Sequence, residues 1–127
     1  MKLIIGGYAQ GKLNYVLQRY SSESYVIWDG KLPRKGKEEN TTVILNHFND
    51  WVRDRISNGG CPEEEVRIFL EAYPDCVIIC DEIGNGIVPT ETFEREYRER
   101  TGRILVELAD RANEVERVIC GIAQKIK

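Results

Sequence analysis

The apolar run Leu3-Ile4-Ile5 passes directly into Gly6-Gly7-Tyr8-Ala9-Gln10-Gly11-Lys12, after which apolar residues at 13, 16 and 17 follow helical spacing. Strand, glycine loop and lysine-headed helix in that order form a P-loop, and nothing else in the chain restricts its fold as much. A loop without bulky side chains can turn its backbone N–H groups inward around a phosphate, while the next helix aims its positive end there. Gly6 through Lys12, with Leu13, are therefore the candidate nucleotide-binding residues, and Lys12 is placed to reach the β- and γ-phosphates. One position departs from the motif: Ser or Thr would follow the lysine to hold Mg²⁺, and this chain has Leu13. Asn14 is a poor replacement, because one step along a helix turns the side chain by about 100°. Phosphate binding is thus read more directly than turnover.

At 127 residues the chain is expected to form one domain, residues 1–127, with room for a real core and little room for insertions. Its net charge of −3 and pI of about 5.3 give no broad basic surface, so no nucleic-acid partner is expected. The local cluster Lys31, Arg34, Lys35 and Lys37 is offset by Asp29, Glu38 and Glu39 and reads as a solvated loop. No stretch approaches a membrane span and the start of the chain enters a strand directly, so a cytoplasmic location is expected. Cys61, Cys76, Cys80 and Cys120 form no CxxC pair and meet no histidine at zinc-finger spacing. They read as buried, reduced thiols.

Short apolar runs alternate with longer amphipathic stretches, the pattern of a parallel sheet with crossover helices. Five strands are predicted, at 2–5, 25–28, 42–45, 76–80 and 115–120, with helices from the loop to residue 20 and at 47–56, 62–72 and 92–112. Phe48, Trp51, Val52 and Ile56 share one helical face, which makes Trp51 a core residue. Pro62 followed by Glu63, Glu64 and Glu65 suits a helix start and its dipole, so these acids need no catalytic explanation.

A second constellation is the strand Val77-Ile78-Ile79-Cys80, which delivers Asp81 and Glu82 at its carboxyl end, where α/β folds place ligands. A P-loop site needs such acids: one carboxylate near the metal, often through water, and a second to orient or deprotonate the attacking group. Lys12, Glu82 and Asp81 are the candidate catalytic residues, and Asp81 is the candidate metal ligand. Alternation along the strand puts the two acids on opposite sides and predicts different roles for them.

Glu82-Ile83-Gly84-Asn85-Gly86-Ile87-Val88-Pro89, the later Gly102-Arg103 and the ending Gly121-Ile122-Ala123-Gln124-Lys125-Ile126-Lys127 add a more specific signal. Together with the N-terminal P-loop, they resemble the adenosylcobinamide kinase / adenosylcobinamide-phosphate guanylyltransferase family of cobalamin biosynthesis. The resemblance is strongest over residues 76–127 and 1–12. It implies an α/β, RecA-like P-loop fold with a mainly parallel sheet of about five strands. It also implies phosphorylation of the aminopropanol hydroxyl of adenosylcobinamide by ATP or GTP with Mg²⁺, then GMP transfer through a guanylylated histidine. Gly6 to Lys12 match the family's phosphate loop, Glu82 the acid of its second segment, and Gly84, Gly86, Val88 and Pro89 part of the active-site rim. A nucleoside triphosphate, a corrinoid acceptor and further copies of the chain are the implied partners.

Three departures narrow that expectation. The helix that carries the family's histidine has no counterpart, because only a short charged loop joins Trp28 to Thr42. Asn46 takes the place of an acid at a strand end, and Leu105 and Val106 replace a polar pair. His47, the one histidine, reads as a cap or partly exposed polar residue rather than a covalent nucleophile. The expected activity is a kinase that has lost guanylyl transfer, with Asp81 taking over the metal role left by Asn46. A non-catalytic nucleotide-binding relative and a scaffold that kept the fold are the alternatives.

Overall fold

The computed structural model describes residues 1–34, 40–84 and 91–127. Lys35, Lys37, Glu38 and Glu39 of the charged loop, and Asn85, Gly86, Ile87, Val88 and Pro89 of the rim segment, lie outside the described residues. In chain order the elements are β1 (Lys2–Gly6), α1 (Lys12–Arg19), β2 (Tyr25–Asp29), β3 (Thr42–Asn46), α2 (Phe48–Ser57), α3 (Pro62–Ala72), β4 (Val77–Asp81), α4 (Thr92–Arg111), β5 (Glu114–Ile119) and β6 (Ile122–Lys125).

All strands join one sheet in the order β2-β3-β4-β1-β5-β6. The first five are parallel, with described helices between all but β2 and β3, and the order is that of a RecA-like sheet. β6 is a sixth, antiparallel strand that the five-strand reading omitted; it pairs with β5 through a two-residue turn. No helix joins β2 to β3 among the described residues.

The two faces of the sheet are unequal. Leu3, Leu45, Ile78 and Cys80 pack against Phe48, Trp51 and Val52 of α2, Val66 and Phe69 of α3, and Ile104 and Leu108 of α4. Each fully buried aliphatic there contributes about 1.5–3 kcal/mol. On the other face Ile4, Ile44, Val77, Ile79 and Val118 meet Val16 of α1, with Leu13 and Leu17 packed alongside. Trp51 is buried as its helical spacing requires.

The thiols divide. Cys76 and Cys80 are buried and burial pushes each up to about 12, so they stay protonated. Cys61 and Cys120 are exposed, contrary to the expectation of burial, because one precedes α3 and the other sits in the β5–β6 turn. Among the described residues no helix is long and apolar enough to cross a membrane.

Candidate functional site

The phosphate loop is shaped by close backbone approach. A Cβ on Gly6 would lie 2.5 Å from the Val118 carbonyl oxygen, so the exit of β1 admits no side chain. Further on the backbone turns left-handed at two positions: Ala9 has φ 55° and Gly11 φ 86°. Gln10 ties the loop to the β5–β6 turn, accepting the Gly121 N–H on its carbonyl and the Cys120 N–H on Oε1, each at 2.8 Å. Cys120 and Gly121 both have positive φ, as a tight two-residue hairpin turn demands. Gln10 is therefore an anchor of the loop, while Tyr8 stands out at its tip, 82% exposed.

α1 opens on Lys12, whose side chain is buried. Its Nζ donates to the Gly7 carbonyl at 2.6 Å and pairs with Asp81 Oδ1 at 2.7 Å. A buried ammonium needs such partners, and a negatively charged phosphate is a natural further one. Asp81 sits where β4 ends beside Gly6 of β1. Its backbone N–H donates to Asn49 Oδ1 at 3.1 Å, and the Asn49 carbonyl accepts the Tyr97 hydroxyl at 3.2 Å, so α2 and α4 fix the strand end.

Glu82 goes elsewhere. Its N–H extends the β1–β4 ladder by donating to the Gly6 carbonyl at 2.8 Å, and its carboxylate accepts from Arg117 Nε at 2.6 Å and Nη2 at 3.0 Å. With Ile5, Leu105 and Arg117 it lines a cavity of about 240 Å³ on the face that carries α4. Alternation along β4 thus separates the two acids as expected, and the structure brings Asp81, not Glu82, to Lys12.

The cleft at the loop has a volume of about 200 Å³ and is lined by residues 9–14 with Asn46, His47 and Asp81. Asn46, at the end of β3, is buried and donates from Nδ2 to Asp29 Oδ1 at 3.1 Å. His47 Nδ1 lies 2.6 Å from the same Asp29 oxygen. His47 stands at the N-cap of α2 with φ 52° and makes no side-chain cap bond, so partial exposure is met and capping is not. A larger hollow of about 420 Å³ lies at the amino ends of β2, β3 and β4, near Ser24, Thr42 and Asp75. It has neither glycine loop nor lysine, and it is at the wrong end of a parallel sheet for a ligand.

For Mg²⁺, Asp81 offers hard carboxylate oxygens in the cleft and Leu13 offers none. No group of three or more His, Cys, Asp or Glu is placed to hold a metal among the described residues. That donor set fits Mg²⁺ held chiefly by substrate phosphates and water with a single carboxylate. Sequence reasoning missed the anchoring by Gln10, the clamp by Asn49 and the contact of Asp29 with His47. Asp29 becomes visible only through register, since it pairs with Asn46 across β2 and β3.

The model of the cobinamide kinase / cobinamide phosphate guanyltransferase family matches residues 31–126, from after β2 through β6. The bifunctional adenosylcobalamin biosynthesis protein CobU of Escherichia coli is 39% identical over 103 residues, covering 68% of this chain and 54% of that protein. The protein of the same name from Salmonella typhimurium is 38% identical over 69 residues, 51% of this chain and 38% of the relative. The chain spans about half the length of these relatives or less.

Proposed function

The chain belongs to the cobinamide kinase / cobinamide phosphate guanyltransferase family, and from that premise we propose that it is a kinase acting on the aminopropanol hydroxyl of adenosylcobinamide, with ATP or GTP as donor and without the guanylyl-transfer step. The observation that carries this reading is the buried Lys12 ammonium, held between the Gly7 carbonyl and Asp81 inside the loop cleft. Phosphoryl transfer asks a protein mainly for positioning and charge stabilisation. The loop amides would hold the donor phosphates and Lys12 would neutralise charge gathering on the transferred group. Asp81 would hold Mg²⁺, which supplies further neutralisation of phosphate charge when bound. Glu82, locked to Arg117, would fix the exit of β4 against β5 rather than touch the phosphates. The acceptor comes from the family relation, and the absence of a covering helix between β2 and β3 among the described residues is what supports loss of the guanylyl step.

Leu13 favours one second reading. It packs on the α1 core where the motif has a metal-holding hydroxyl, which suits a relative that binds triphosphate without turning it over. The edge strand β2 leaves Tyr25, Val26 and Ile27 36–40% exposed, which supports assembly with further copies of the chain. Transfer of labelled γ-phosphate from ATP and from GTP to adenosylcobinamide, with Mg²⁺ and Lys12→Ala as the blank, tests the kinase. Lys12-dependent product is the expected result; triphosphate binding without product would leave the second reading.

A further inference from the structure

We propose that His47 accepts the proton of the attacking hydroxyl, and that Asp29 is the positioning residue that holds its imidazole for this. The inference rests on the kinase reading and supplies what it lacks, a base in the cleft. Of the two acids at the end of β4, Asp81 is paired with Lys12 and Glu82 is held by Arg117 on the other face. His47 lines the same cleft as the glycine loop, Lys12 and Asp81.

Its geometry sets the chemistry. An ionised carboxylate can only accept, and the 2.6 Å contact of Nδ1 with Asp29 Oδ1 is far shorter than its 3.3 Å approach to Asn46 Nδ2, so in the neutral ring the proton belongs on Nδ1 and Nε2 keeps a lone pair. Asn46 Nδ2 donates to the same carboxylate at 3.1 Å, which orients Asp29 in turn. The left-handed backbone at His47, φ 52°, is an uncommon conformation for a non-glycine residue outside a turn. It lets β3 turn into α2 while the ring stays beside Asp29. In the step itself the acceptor oxygen bonds to the γ-phosphorus and its proton passes to His47 Nε2. The bond from the γ-phosphorus to the bridging oxygen breaks, and its electron pair leaves on the nucleoside diphosphate. Charged groups sharing the surroundings of the imidazole are Asp29 at the end of β2, in contact with Nδ1, Lys12 of α1 and Asp81 of β4, which line the same cleft, and Asp50 in the first turn of α2; further along, α1 carries Arg19 and α2 carries Arg53, Asp54 and Arg55.

Because His47 is the single histidine, its ring gives one set of nitrogen signals in a ¹⁵N-labelled sample. In the neutral ring those signals should report the proton on Nδ1, and Asp29→Asn should shift it toward Nε2. A neutral wild-type ring that carries its proton on Nε2 would overturn the proposal whatever the substrate. In transfer assays His47→Gln should lower the rate about 100-fold, the low end for general-base loss because the transition state is loose. Affinity for the Mg²⁺ triphosphate should hold, and free imidazole should restore part of the rate to His47→Ala. Asp29→Asn should give a smaller loss of rate and move the low-pH limb of the rate profile. Wild-type transfer that His47→Gln leaves unchanged overturns the role of His47 and spares the kinase. A wild-type protein that binds triphosphate yet neither transfers to adenosylcobinamide nor hydrolyses the donor overturns both. A phosphoryl or nucleotidyl adduct on His47 would make it a nucleophile and overturn the proposal.

Discussion

The two faces of the sheet meet at the end of β4, and the neighbouring residues Asp81 and Glu82 show how differently they are used. On the face covered by α2, α3 and α4, the core is thick and Glu82 closes its edge by a two-point pair with Arg117. On the face covered by α1, apolar packing is thinner and the edge is given over to Lys12, Asp81, Asn46 and His47 around an open cleft. Three helices of burial hold the strands on one side, so the other can carry a buried ammonium and a glycine loop. Apolar burial is concentrated on one face, and the buried ammonium and open cleft lie on the other.

The sharpest test of that division is a pair of substitutions that should fail in opposite assays. Lys12→Ala should cut phosphoryl transfer about 100- to 1000-fold, the range for removing one preorganised donor, with a modest change in unfolding midpoint. Ile78→Ala, on the three-helix face, should cost about 2–5 kcal/mol in urea unfolding, since the side chain is fully buried and would leave a cavity. Its surviving folded fraction should keep the triphosphate affinity of the wild type. If Lys12→Ala unfolds the protein, or Ile78→Ala abolishes binding while folded, the faces are not separable.

Next in size is Asp81→Asn. It keeps the side-chain volume and removes the charge that pairs with Lys12 at 2.7 Å. Triphosphate affinity should lose most of its dependence on Mg²⁺, read by titrating nucleotide with and without the metal. Unchanged Mg²⁺ dependence would remove Asp81 as metal ligand.

Much of this arrangement could be read from the chain because it is written locally. Leu3-Ile4-Ile5 and Val77-Ile78-Ile79-Cys80 are uninterrupted apolar runs, as strands buried on both faces must be, and all four long helices carry an apolar face. The loop and its lysine are contiguous. β6 escaped because Ile122-Ala123-Gln124-Lys125 is short and largely exposed, leaving no burial pattern to recognise. The wider site escaped for a different reason: Asp29 meets His47 and Asn49 meets Asp81 across 18 and 32 positions, through the docking of the start of α2 against the strand ends, which apolar patterning does not reveal. Glu82 was assigned to the chemistry on its neighbourhood in sequence; the side of the strand it occupies, beside Arg117, was not legible there.

Acid tests the thick face a second way. Glu63 in α3 accepts Arg100 of α4 at 2.8 Å and 2.9 Å, and Arg100, first among the causes, holds its carboxyl down from 4.5 to about 2. A depressed carboxyl stabilises the folded state above its unfolded value, so this contribution is whole above pH 4.5 and is lost as pH falls toward 2. Both side chains are about one-quarter exposed, which trims the effect to about 1–2 kcal/mol. Urea unfolding at neutral pH and at acid pH should show Arg100→Ala less stable than the wild type at the first and nearly equal at the second.

The smallest effect is expected from Glu82→Gln, and it separates the two acids most directly. The Arg117 side chain is 42% exposed, and exposed ion pairs contribute little because solvent screens them and the long side chains lose freedom. Gln still accepts from one of the two Arg117 donors, so the exit of β4 should hold and the unfolding midpoint should move only slightly. Transfer should fall far less than in Asp81→Asn, because the carboxylate faces α4 and not the loop cleft. If instead Glu82→Gln removes transfer as fully as Asp81→Asn while the fold is intact, the carboxylate must leave Arg117 and cross to the reacting groups when substrates bind. The Arg117→Ala variant, which removes the Arg117 pair without altering Glu82, would then raise the transfer rate rather than lower it.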